Sequence, residues 1–157
     1  MSPRCILVMR HAEKPDEEGD PHLSQAGHAR AEKLATYIPN NFGKPDFIFA
    51  AADSKDSERP RKTVEPLQHA TGILIHDKIA DKECADLATK LLTTQDLSDK
   101  RIVVCWHHGQ IPKLMHALGA PAGTYPEPWD EKVFNLILLL DYRTCGKPIV
   151  TKVNEPF

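Results

Sequence analysis

Five residues near the start of the chain, Cys5-Ile6-Leu7-Val8-Met9, form an apolar run with no polar residue alternating through it. A strand wetted on one face alternates with period two. A continuous run belongs to a strand covered on both faces, as in a parallel sheet sandwiched between helices. Two more runs of this kind follow, Phe47-Ile48-Phe49-Ala50, entered through Pro45, and Ile102-Val103-Val104-Cys105-Trp106. Between them the periodicity changes to that of amphipathic helices. One runs from an N-cap at Ser24 to Ile38, with Ala31, Leu34, Ala35 and Ile38 on one face and Pro39 as its stop. A second opens near Pro60, a residue suited to the first helical turn. A third spans Ala80 to Leu92, with Cys84, Leu87, Ala88 and Leu91 in a stripe, and a fourth spans Ile111 to Leu118, closed by Gly119. Ile73-Leu74-Ile75 reads as a short strand after Gly72. Val133 to Asp141 and Ile149 to Val153 read as two closing strands joined by a turn at Cys145-Gly146-Lys147. The expectation is an α/β fold, a three-layer α/β/α sandwich with a mostly parallel central sheet. No repeat, linker or low-complexity stretch divides residues 1–157, which points to one domain.

Composition narrows the partners. The 157 residues carry a formal net charge of -2, with no block of like charge. Nucleic acid and anionic membrane surfaces call for a concentrated basic face, so neither is expected as the main partner. The N-terminal segment has no apolar stretch long enough for a signal peptide, and the longest apolar run, Leu136 to Leu140, is far short of a membrane span. The four cysteines, Cys5, Cys84, Cys105 and Cys145, show neither a Cys-x-x-Cys pair nor zinc-finger spacing. A reduced, cytoplasmic protein is the reading that follows.

In open α/β sheets, ligands bind in the crevice beyond the carboxyl ends of the strands. The first strand ends in Arg10-His11-Ala12-Glu13, the second leads into a segment with Arg59 and Arg61, and the third buried run ends in Trp106-His107-His108-Gly109. Arginine offers a planar fork of donors that matches phosphate oxygens, and several such donors stabilise a transferring phosphoryl group. A neutral imidazole is a competent nucleophile, and cationic neighbours keep it neutral by lowering its pKa. No cluster of carboxylates or histidines has metal-ligand spacing.

The pattern resembles the histidine phosphatase superfamily, which includes phosphoglycerate mutase-like proteins. Arg10-His11 stands at the end of the first strand. Leu23-Ser24-Gln25-Ala26-Gly27, followed by Arg30-Ala31, matches the family's turn into its first helix. Ser57-x-Arg59-Pro60-x-x-Thr63 with Pro66-Leu67 matches its second arginine, and His108-Gly109 its second histidine. The four matched elements run in order from Ile6 to about Leu118. The resemblance implies His11 as a transiently phosphorylated nucleophile, with Arg10, Arg59 and His108 clamping the phosphoryl oxygens. It implies no metal and no other cofactor. Arg61 and His107 are the secondary candidates beside Arg59 and His108. The leaving-group acid is assigned to Glu83, with Asp81, Asp77 and Glu13 as rivals.

The resemblance therefore implies a phosphatase acting on a phosphorylated small molecule or phosphoprotein, and it leaves the oligomeric state open. Two rivals remain: a phosphoglycerate mutase-like phosphotransferase and a non-catalytic phosphate-binding module. The mutase form of the first motif is replaced here by Arg10-His11-Ala12-Glu13-Lys14-Pro15, and large substrate-binding inserts are missing between Arg59 and His108, which favours a small open pocket of the kind found in short phosphohistidine-protein phosphatases. His22, His28, His69, His76 and His116 match no motif and read as surface or packing residues. The acidic stretch Asp16 to Asp20 reads as a solvated loop placed to gate the pocket.

Overall fold

The computed structural model describes residues 2–144 and 146–157. Six strands form one sheet: β1 (Cys5–Arg10), β2 (Phe47–Ala50), β3 (Ile75–His76), β4 (Arg101–Trp106), β5 (Leu136–Asp141) and β6 (Ile149–Asn154). Their order is β3-β2-β4-β1-β5-β6. The first four run parallel, while β5 and β6 are added antiparallel at one edge. The helices are α1 (Gln25–Phe42), α2 (Arg59–Thr71), α3 (Cys84–Thr93) and α4 (Ile111–Ala117).

The unalternating runs are explained by two separate cores, one on each face of the sheet. Successive side chains of a strand point to opposite faces. Leu7 and Met9 of β1, with Ile48, Val103 and Cys105, pack under Leu34 and Ile38 of α1 and Val64 and Leu67 of α2. Ile6 and Val8, with Phe49, Ile102 and Val104, pack under Leu87 and Leu91 of α3 and Ile111 and Leu114 of α4. At roughly 1.5–3 kcal/mol for each large apolar side chain fully buried, these two faces supply the main drive for folding. The three-layer α/β/α sandwich with a mostly parallel sheet is the observed architecture.

Four boundaries differ from expectation. Pro39 does not stop α1, which continues to Phe42 and is closed by Gly43 at φ 86°, whose N–H donates to the Pro39 carbonyl. A proline forfeits one helical hydrogen bond, and here the helix runs on for one more turn. The third helix begins at Cys84 behind a single 3-10 turn over Asp81–Glu83, rather than at Ala80. The short edge strand is Ile75–His76 rather than residues 73–75, because only Ile75 and His76 pair with β2. Finally, β5 begins at Leu136, because β6 supplies no pairing partner before that residue; Val133, Phe134 and Asn135 belong to the preceding loop. The expected turn at 145–147 falls partly outside the described residues, as does Cys145.

Candidate active site

The parallel register brings two strand ends together. Arg10 pairs with Trp106, so the next residues of the two strands, His11 and His107, emerge side by side. The His11 N–H donates to the Trp106 carbonyl at 3.1 Å, and the two imidazoles lie edge to face with centroids 5.2 Å apart.

His11 is gripped from several directions. Its Nδ1 lies 2.7 Å from the Ala12 carbonyl oxygen, which can only accept, so Nδ1 carries the proton and Nε2 the lone pair. The Ala12 N–H donates to Thr63 Oγ1 at 2.9 Å, and that hydroxyl donates to the Arg59 carbonyl at 2.8 Å. Arg59-x-x-x-Thr63 thus joins the first turn of α2 to the backbone behind the histidine. The Leu23-Ser24-x-x-Gly27 turn serves the same segment. Ser24 donates to the Glu13 carbonyl through its N–H at 2.9 Å and its hydroxyl at 3.2 Å, and its hydroxyl caps α1 by accepting from Gly27 N–H. A Cβ at position 27 would stand 2.3 Å from the Glu13 oxygen, a clash with backbone that only glycine avoids.

The cations around the ring keep their charge for a ligand. Arg10 is 3% exposed, and its Nη1 donates to the carbonyls of Glu131 at 2.5 Å and Val133 at 3.3 Å. Its guanidinium stacks 3.9 Å over the Phe134 ring. These partners are neutral, so they orient the arginine without cancelling it. Arg59 is likewise held by a neutral group, the Asp20 carbonyl at 2.7 Å. The Nε–H of each arginine is buried with no hydrogen-bond partner. Burial, reinforced by Arg59, lowers Arg10 to about 10. Burial is also the main cause that lowers His11 to about 2, with His107, Arg10 and Arg59 adding to it and the Ala12 bond opposing. His107 is lowered to about 4 by burial and then by Arg59, His108 and Arg10. Both imidazoles are neutral at physiological pH.

The tandem histidines face different ways. His107, the first residue beyond β4, turns toward His11, whereas His108 lies toward Arg10, Lys14 and Glu131 at the rim, lowered by burial and then by those two cations. The strand end dictates this. Position 107 is level with position 11 in the register, and the next residue faces another way. Arg61 points away from the site into ion pairs with Asp53 at 2.9 Å, Glu65 at 2.8 Å and Glu58 at 3.3 Å.

The four acid candidates differ sharply. Glu83 is exposed, and its Oε1 accepts the Ala80 N–H at 3.3 Å, closing its own 3-10 turn. Asp77 sits 3.7 Å from Lys78. Burial raises Glu13, but a two-bond hold by Arg30, at 2.9 and 3.0 Å, outweighs it and leaves the carboxyl below its usual range. Burial pushes Asp81 up to about 6, and its Oδ1 is buried without a partner. Its carbonyl accepts from Trp106 Nε1 at 3.0 Å, which puts it against the residue preceding His107.

Loop 14–20 lies between two open clefts, one of about 560 Å³ that reaches Arg59 and one of about 460 Å³ that reaches Phe134 and Glu131. A third hollow, of about 200 Å³, lies at the opposite end of β1 around Arg4 and Arg101, remote from the histidines. Among the described residues no group of three or more His, Cys, Asp or Glu side chains could hold a metal ion, and no helix is long and apolar enough to cross a membrane. Sequence reasoning missed Phe134, Glu131 and Val133, because backbone carbonyls and a stacking ring in a loop leave no motif.

The sequence matches no family model and no curated protein. Its fold is matched by solved structures over nearly the whole chain. The protein histidine phosphatase SixA in complex with tungstate superposes with a TM-score of 0.71 at 11% identity, covering 96% of this chain and 96% of that one. A mycobacterial glucosyl-3-phosphoglycerate phosphatase with inorganic phosphate gives 0.67 at 15% identity, covering 98% and 97%. The phosphoglycerate mutase of Plasmodium falciparum gives 0.63 at 15% identity, covering 98% and 91%. All three are histidine phosphatase superfamily members, and this chain has their fold.

Proposed function

We propose that this protein is a metal-independent phosphatase in which His11 carries the phosphoryl group between substrate and water. The observation that carries the reading is the tautomer of His11. With Nδ1–H tied to Ala12 O at 2.7 Å, the Nε2 lone pair is left among arginines held by backbone carbonyls rather than by carboxylate ion pairs. Nε2 attacks phosphorus as the bond to the leaving atom breaks, an ester oxygen or the imidazole nitrogen of a phosphohistidine, and an acid supplies that atom's proton. Water then attacks the phosphohistidine, releasing inorganic phosphate and restoring Nε2. Arg10, Arg59 and His107 stabilise the charge on the phosphoryl oxygens, the dominant requirement for this kind of transfer. Asp81 has the environment of a proton donor, protonated over part of the neutral range, and takes precedence over Glu83. The substrate is a phosphomonoester or a phosphohistidine protein. The similar enzymes act on protein phosphohistidine and on glucosyl-3-phosphoglycerate, which makes both chemistries the first to assay.

Rapid quench during turnover should trap one acid-labile, alkali-stable phosphate per chain, on His11, and EDTA should leave the rate unchanged. Turnover with no phosphohistidine, or complete loss on chelation reversed by one divalent ion, would remove the mechanism. A product assay separates phosphatase from mutase: phosphate should appear in water, not on a second substrate.

A further inference from the structure

We infer that Glu155 is a positioning residue for His11, acting through Arg30 and Glu13 on the backbone that sets the imidazole. The inference rests on the reading of His11 as the reacting group, and its first readout does not depend on that reading. Glu155 follows β6, more than 140 residues along the chain from His11, and its side chain is only 1% exposed. An ionised carboxylate in such a place carries a heavy desolvation penalty and is weak as a stability device on its own. Its Oε1 accepts from Arg30 Nη1 at 2.8 Å. Arg30 also donates to the Phe157 carbonyl at 2.6 Å, and its Nε and Nη2 hold both oxygens of Glu13.

Glu13 and Ala12 form the segment that fixes the nucleophile. The Ala12 carbonyl accepts a hydrogen bond from His11 Nδ1–H, and the Glu13 carbonyl accepts from both Ser24 donors. The main chain of Glu155 reaches the site from the other side as well. Its N–H donates to the Asn135 carbonyl at 2.7 Å, beside Phe134, on which Arg10 stacks. One buried residue is therefore joined by its side chain to the support of His11 and by its backbone to the support of Arg10. Arg30 faces two carboxylates, and without Glu155 its Nη1 would keep only the Phe157 carbonyl, leaving Glu13 less firmly placed. The groups facing Glu155 are Arg30 of α1, Glu13 beyond β1 and the buried Cys105 thiol of β4. Burial raises Glu155 to about 7 against the pull of Arg30. Acid should therefore loosen the same linkage that a substitution would cut.

The test compares Glu155→Gln with Glu155→Asp, and with Glu155→Gln in an Arg30→Gln background. The first readout is the nitrogen NMR of His11 in the unliganded protein, where loosening of Ala12–Glu13 should shift the Nδ1–H resonance and mix the tautomers. The second is kinetic: in Glu155→Gln, kcat should fall about tenfold to a hundredfold with KM changed less than about twofold, as for misplacement of a reacting group. Glu155→Asp should recover most of that loss, and Glu155→Gln should add nothing once Arg30 is removed. Unchanged His11 resonances and unchanged kcat in Glu155→Gln, even with a lowered Tm, would overturn the inference and leave a structural ion pair. If Glu155→Gln fails to fold, Arg30→Gln alone decides by the same two readouts, since it cuts the link between Glu155 and Glu13. Failure of the nucleophile reading would show elsewhere, as wild-type turnover without phosphate on His11.

Discussion

The ends of β1 and β4 are neighbours in register, yet they hold their histidines in opposite ways. His11 is fixed by its own Nδ1 bond, by Thr63 on the Ala12 N–H and by Ser24 on the next carbonyl. No side-chain hydrogen bond among the described residues holds His107, whose ring lies edge-on against His11. A nucleophile must present one nitrogen in one tautomer, and rigid support prevents it from turning over. A residue that meets the phosphoryl oxygens has to follow them from substrate to phosphoenzyme to product, and freedom serves that task. The same strand geometry thus yields one fixed imidazole and one less constrained, distinguished by what surrounds them, which suits the attacking and binding roles proposed for them.

The comparison is broken most easily at its rigid side. His11→Ala should lose at least about a thousandfold in turnover, since removal of a nucleophile removes the covalent route. A single-turnover assay would overturn this if the variant kept a phosphorylated intermediate. On the adaptable side, His107→Ala should cost about a hundredfold, roughly 3 kcal/mol, as for a lost oxyanion donor, while His108→Ala should cost less than about fivefold. Arg59→Ala and Arg61→Ala should separate in the same manner, with Arg61→Ala lowering Tm rather than kcat. The reverse ranking in steady-state assays would show that the rim residues, not those level with β1, meet the substrate.

A smaller effect sharpens the acid. Asp81→Asn should slow hydrolysis of an alkyl phosphate about tenfold or more, yet barely change p-nitrophenyl phosphate, whose phenolate leaves unaided. Glu83→Gln should change neither. If Glu83→Gln alone showed the selective loss, the exposed cap would be the donor after all.

The smallest effect is on stability against pH. His107 is ordinarily half-protonated near 6.5 and here only near 4, so between those values the unfolded chain binds a proton that the native state refuses. Stability therefore falls as pH falls through that window. Glu155 works in the other direction, since its native pKa of about 7 lies above its ordinary value, and acid below pH 7 favours its folded, protonated form. Replacing His107 with Gln should reduce the loss of stability between pH 8 and pH 5 by on the order of 1 kcal/mol. Equal losses in urea titrations of wild type and variant would contradict a neutral, buried His107.

The chain's local patterns determined the layers and pointed to the residues on which the proposed chemistry rests. Longer apolar runs without alternation fit strands covered on both faces, and helical stripes such as Leu34–Ile38 and Cys84–Leu91 state which face they bury. Ser24 and Gly27 mark a cap whose geometry is local, and Arg10-His11 and Arg59 lie where strands deliver them. Tertiary structure decided what depends on partners distant in sequence. Which of His107 and His108 lies against His11 follows from the pairing of Arg10 with Trp106, a register between residues 96 apart in the chain. The carbonyls of Glu131 and Val133 carry no side-chain signature, so their hold on Arg10 exists only once β5 has been laid beside β1. Glu83 and Asp81 look alike as carboxylates in one turn, and burial against Trp106 separates them. Glu155 reads as a polar residue near the end of the chain until Arg30 meets it from α1. Burial and long-range pairing set pKa and orientation, and neither is a property of a short stretch of sequence.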